Sequence, residues 1–111
     1  MDNKRKKELQ INLKRVLKDL TTKYKPERII LFGSFASGKI HSFSDIDLLI
    51  VKKTKKKYFD RIREIVGLCE YDIGIDFLVY TPQELKHELK QNSFLKDEIL
   101  LKGKVLYHAA A

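Results

Sequence analysis

Apolar positions along the chain change their spacing several times, and each change marks an element. From residue 3 to 22, Leu9, Leu13, Val16, Leu17 and Leu20 recur three or four apart, one stripe of a helix whose other side is lysine and arginine. Lys25-Pro26 ends that helix, because a residue before proline resists the helical region. Glu27 or Arg28 to Phe32 then reads as a strand, Gly33 to Gly38 as a turn and short helix, and Lys39 to Ser44 as a loop. Asp45 to Val51 is a second strand, aliphatic and β-branched enough to be buried. Helical spacing returns at Tyr58 to about Leu68, through Phe59, Ile62, Ile65 and Val66, with Gly67 near its end. A third strand lies within Tyr71–Tyr80.

Thr81-Pro82-Gln83-Glu84 is a helix start: Thr81 caps, Pro82 suits the first turn, and Glu84 completes a capping box. That helix runs to about Gln91, a break falls at Asn92-Ser93, and a last helix spans Phe94 to Lys102 with Gly103 as its cap. Val105 to Tyr107 is a short edge strand. The order predicts an α/β (α+β) fold, a small mixed β-sheet flanked by helices. Neither a repeat nor a linker divides it, so residues 1–111 form one domain, with 109–111 a tail outside the fold.

Composition adjusts this picture only in places. The 111 residues carry a net charge of +8, which favours polyanionic partners such as nucleotides, nucleic acid or an acidic protein surface. The Lys4–Lys7 cluster reads as a solvated helix start, and the Lys52–Lys57 run as a basic link between strand and helix. A lone cysteine, Cys69, leaves no internal disulfide and fits a small buried side chain; a cytoplasmic location is the expectation. No apolar run reaches membrane-spanning length, and the basic start, with no apolar stretch after it, is not expected to act as a secretory signal.

The candidate chemistry sits at the turn that ends the first strand and at the mouth of the second. Asp45 and Asp47 lie one residue apart at the mouth of an apolar strand, so both carboxylates project to one face. Like charges that close repel unless a cation lies between them, and Mg2+ takes one or two carboxylates together with substrate phosphates. Gly33-Ser34, where a strand turns into a helix, allows close backbone approach and supplies donors for an anion. Asp76, between Ile75 and Phe77, is costly inside a strand unless paired or metal-bound, and is the candidate third carboxylate; Asp72 reads as a turn residue. Together these describe a nucleoside triphosphate held with Mg2+.

Gly33-Ser34-Phe35-Ala36-Ser37-Gly38, followed by Ser44-Asp45-Ile46-Asp47-Leu48 and by Asp76, resembles the nucleotidyltransferase family related to DNA polymerase β, in its minimal single-domain form. The resemblance reaches Gly103-Lys104-Val105-Leu106-Tyr107; Ser37 departs from it, standing where many relatives carry arginine. It implies the polymerase β-like nucleotidyltransferase fold, with catalytic and metal-binding Asp45, Asp47 and Asp76 and nucleotide-binding Gly33 and Ser34. It also implies Mg2+ as cofactor, two ions with bound nucleotide, and transfer of a nucleoside monophosphate, AMP from ATP, to a hydroxyl. Minimal relatives pair with a helical HEPN-type toxin and adenylylate its tyrosine as antitoxins, so such a partner, and an oligomer formed through it, is expected. Two rivals stand beside this: a catalytically silent module that neutralises a helical partner by contact, and an RNA-binding domain, for which no aromatic cluster is evident.

Overall fold

A computed structural model describes residues 3–109. Helix α1 (Asn3–Asp19) widens into a π-type turn over Leu20–Tyr24, two residues past the expected end. Lys25, before proline, closes it in the left-handed region at φ 55°. There follow β1 (Arg28–Phe32), α2 (Gly33–Ser37), β2 (Ile46–Val51), α3 (Tyr58–Leu68), β3 (Ile75–Tyr80) and α4 (Pro82–Gln91). Helix α5 (Ser93–Lys96) continues as a second π-type turn, Asp97–Leu101, and β4 (Lys104–His108) ends the fold. Ala110 and Ala111 of the expected tail lie outside the described residues. Ala109 does not behave as tail, because its N–H donates to the Glu27 carbonyl at 2.8 Å.

The sheet runs β3-β2-β1-β4, with β1 antiparallel to both neighbours and β2 parallel to β3. Alternation along the strands sends side chains to two layers. Ile29, Leu31, Ile46, Leu48, Ile50, Phe77 and Val79 pack with Leu9, Val16, Leu20 and Ile65 of the first helical layer. Ile30, Leu49 and Val51 pack with Leu85, Leu95 and Ile99 on the other side. Central β2 is buried on both faces, as its unbroken Leu48–Val51 run requires. Asp47 shares the parity of Leu49 and Val51, so it faces the α4–α5 layer. Among the described residues no helix is long and apolar enough to cross a membrane.

Candidate active site

Strand register places the key carboxylates. β2 and β3 pair in parallel with Asp47 directly opposite Asp76, while Phe32 of β1 is the antiparallel partner of Asp47 on its other side. The chain leaves β1 at once into α2, with Gly33 at φ 78°, and the Asp47 Oδ2 occupies the space where a Gly33 side chain would begin. The glycine is therefore required twice, by its backbone angle and by the carboxylate lying over it. Asp76 is exposed, because β3 is an edge strand. The desolvation cost expected for Asp76 falls instead on half-buried Asp47.

That cost shows in its acidity. Asp47 is pushed up from 3.8 to about 6, first by burial, then by the charge and hydrogen bonding of Asp76, and less by Asp45 and Glu98. Asp45 is placed differently from its neighbours. Strand β2 begins only at Ile46, whose N–H donates to the Gly74 carbonyl, so Asp45 sits just outside the ladder. Its carboxylate lies over Gly74, where a methyl group would meet Oδ1 at 2.6 Å, and Arg5 of α1 donates to that Oδ1 at 3.3 Å. The expectation of a solvated Lys4–Lys7 cluster thus fails at Arg5, whose side chain is only 18% exposed.

Ser44 knits these parts together. It is buried, accepts from the His41 N–H at 2.9 Å and from Ser34 Oγ at 3.2 Å, and its carbonyl accepts from Arg5 Nε at 2.8 Å. One residue thus links the Gly33-Ser34 turn, the Asp45 carboxylate and α1. Sequence reasoning placed Ser44 only within the motif. Glu98 also escaped it: carried on the turn after α5, it reaches the field of Asp47 from the helical layer that Asp47 faces.

Beside the carboxylates lies a cleft of about 460 Å³, lined by Gly33, Ser34, Ser37, Lys39, Phe94, Glu98 and Lys102. Helix α2 has only five residues, so its dipole is weak, and preference for an anion rests on hydrogen-bond donors and on Lys39 and Lys102. Ser37 turns its hydroxyl inward to the Ser34 carbonyl at 3.2 Å. His41 accepts from the Phe43 N–H in an exposed loop, and Cys69 is buried, its thiol raised to about 11 chiefly by burial. Neither side chain has a part in the site.

The structure therefore brings Asp47 and Asp76 together beside Gly33 and Ser34 and holds Asp45 nearby on Arg5. Among the described residues no group of three or more His, Cys, Asp or Glu side chains stands assembled as a metal site. The chemistry of the Asp47–Asp76 pair nevertheless fits a divalent cation: Asp47 is raised first by burial and then by facing Asp76, and a cation between the two oxygen donors would offset both.

The family model described as "Polymerase beta, Nucleotidyltransferase" matches residues 12–110. Three proteins of Methanocaldococcus jannaschii, each named "putative protein adenylyltransferase", are similar in sequence. One is 38% identical over 85 residues, 71% of this chain and 56% of that protein, so the chain spans little more than half of that relative. A second is 35% identical over 78% of this chain and 87% of the other. The third is 33% identical over 86% and 94%. Among solved structures, a "putative nucleotidyltransferase from Sulfolobus solfataricus" superposes with TM-score 0.61 at 22% identity, covering 92% of this chain and 81% of that one. A structure described as "the toxin-antitoxin with AMP-PNP" gives TM-score 0.56 at 20% identity, covering 88% and 74%. Both likenesses are of fold, and they match the four-stranded sheet with its flanking helices.

Proposed function

The chain belongs to the polymerase β nucleotidyltransferase family, and from that premise we propose that it transfers AMP from ATP to a hydroxyl. We place that hydroxyl on a tyrosine of a helical HEPN-type toxin, for which this chain acts as antitoxin in the cytoplasm. The names of the relatives support protein adenylylation, and the toxin–antitoxin neighbour supports a partner and an adenine nucleotide. The observation that carries the reading is the register of β2 and β3, which sets Asp47 against Asp76 next to the Gly33 turn.

Asp45, Asp47 and Asp76 are the groups to hold Mg2+, two ions when nucleotide is present. Bound Mg2+ neutralises phosphate charge and acts as a Lewis acid on the α-phosphate. The rest is the work of the chain. Gly33 and Ser34 receive the triphosphate tail, and Lys39 and Lys102 bring positive charge to the same cleft. Ser44 keeps Ser34 in register with Asp45 through its hydroxyl. Asp76, on the exposed edge, stands where an acceptor can approach and takes the proton of its hydroxyl. The acceptor oxygen bonds to the α-phosphorus as the bond from that phosphorus to the bridging oxygen breaks, and pyrophosphate leaves.

The test is incubation of the protein with ATP, Mg2+ and the co-expressed helical partner, read by mass spectrometry. The partner gains the mass of one AMP, pyrophosphate appears, and Asp47→Asn lowers kcat by on the order of a thousandfold. A partner that is inhibited yet unmodified overturns the enzyme in favour of a contact-only module. Salt-sensitive RNA binding without ATP, and no transfer, favours the nucleic-acid reading.

A further inference from the structure

Arg5 reaches the site from a distant part of the chain, and nothing in the motif asks for it. Among its contacts are two of different kinds: Nε donates to the Ser44 carbonyl at 2.8 Å, and a terminal nitrogen donates to Asp45 Oδ1 at 3.3 Å. Glu8, one turn along α1, lies 3.9 Å away on the same side chain. The arginine is mostly covered, 18% exposed, whereas Asp45 is 48% exposed. A planar fork suits this double duty, since one edge can fix a backbone carbonyl while another meets a carboxylate. The backbone contact is the shorter, and the carboxylate contact is long and half in solvent, so the two do not hold equally firmly.

We infer that Arg5 is a resident counter-cation for Asp45, pinned through the Ser44 carbonyl, and that it yields the Asp45 carboxylate when a divalent cation is taken up. The inference rests on the assignment of Asp45 and Asp47 as cation ligands. Without a cation, Asp45 adds its charge to the Asp47–Asp76 pair, and Arg5 offsets part of that accumulation. With a cation, the positive charge on Arg5 becomes a competitor for the same oxygen and a repulsive neighbour. The Ser44 carbonyl contact survives the exchange and keeps the arginine at hand. The helix α1 therefore sets how readily the site accepts metal, although it contributes no ligand.

The experiment titrates Mn2+ alone into the nucleotide-free full chain at low salt, reading unbound Mn2+ by electron paramagnetic resonance. Arg5→Gln keeps donors for the Ser44 carbonyl without the charge, and Arg5→Lys keeps the charge without the fork. We expect Arg5→Gln to bind Mn2+ on the order of fivefold more tightly than wild type, an advantage that shrinks as salt is raised. Arg5→Lys stays within about twofold of wild type, and circular dichroism confirms that each variant is folded. Asp47→Asn is the control for the assignment beneath. If it abolishes Mn2+ binding while Arg5→Gln binds no more tightly than wild type, Arg5 is no counter-cation and the inference is overturned alone. If Asp47→Asn binds as wild type does, or no form binds Mn2+, the ligand assignment fails and carries the inference with it.

Discussion

The two ends of β3 handle charge in opposite ways. At its start, Asp76 faces Asp47 across the parallel register, and Asp47 is raised to about 6, first by burial and then by that like charge. Past its end, Arg61 of α3 meets Glu84 of α4 in a two-pronged pair at 2.6 and 3.2 Å, and also donates to the carbonyls of Val79 and Lys56. Glu84 further accepts from the Thr81 N–H as part of the capping box, and its carboxyl is held below the usual range, first by the hydrogen bond from Arg61. One carboxylate is thus satisfied by geometry that ties two helices to a strand, and the other is left in a state that only a proton or a cation relieves. The first pattern ties the fold together, and the second is the kind of perturbed carboxylate that marks a candidate site.

The satisfied end of β3 depends most on Arg61. Arg61→Met leaves the Val79 and Lys56 carbonyls without this donor and Glu84 with only the Thr81 N–H among its two partners, and the Arg61 side chain is only 7% exposed. Removing one partner of a buried pair costs several kcal/mol, and because Glu84 is 45% exposed the expected loss is about 3 kcal/mol, read as a fall in the urea midpoint. Cation affinity at Asp47 should not change in the folded fraction, since the two ends share no partner. A loss below about 1 kcal/mol would mean that the pair is a surface feature and the contrast is empty.

A smaller effect separates Gly33 from Gly38. Both have positive φ, 78° and 81°, but a Cβ at Gly33 meets the Asp47 carboxylate whereas one at Gly38 meets open space. Each Gly→Ala change costs about 1 kcal/mol for the left-handed backbone. Gly33→Ala must in addition displace Asp47, so a loss of about 2 kcal/mol is expected together with loss of transfer activity. Gly38→Ala keeps its activity. Equal behaviour of the two alanine variants in melting and in transfer assays would show that Asp47 does not depend on the turn beneath it.

Much of this division was legible in the residues. Thr81, Pro82 and Glu84 announced the start of α4, and the spacing of Asp45 and Asp47 at the mouth of an aliphatic run pointed to the end where the carboxylates gather. The partner of Glu84 could also have been found: Tyr58, Arg61 and Ile65 are three and four apart, so Arg61 shares a helix face with residues that point inward. What local pattern could not supply was distance. Arg5 lies 40 residues before Asp45, and Glu98 acts on Asp47 from a turn about 50 residues later in the chain. Nor could it place the start of β2, which begins at Ile46 because Gly74 accepts the first bond of the ladder there.

The smallest effect has the most telling sign. Asp47 holds a proton more tightly in the folded chain, about 6, than its ordinary value of 3.8 allows in the unfolded one. Between those values the folded state binds more protons than the unfolded state, so stability falls as pH rises through that window and stays lowered above it. The carboxylate is partly open to water, which screens the repulsion, so the expected penalty at pH 7 is discounted to about 1 kcal/mol. Asp47→Asn removes it: the variant should melt higher than wild type near pH 7 and level with it near pH 3.5. Glu84 has the reverse sign, contributing stability above its unfolded value and losing it as pH falls, so subtracting the Asp47→Asn curve from wild type isolates the one end from the other. Added Mg2+ should raise wild type toward the variant at pH 7, since the cation stands in for the missing proton. If the difference curve is flat from pH 3.5 to 7, the two facing aspartates carry no mutual strain, and the start of β3 is as well satisfied as its end.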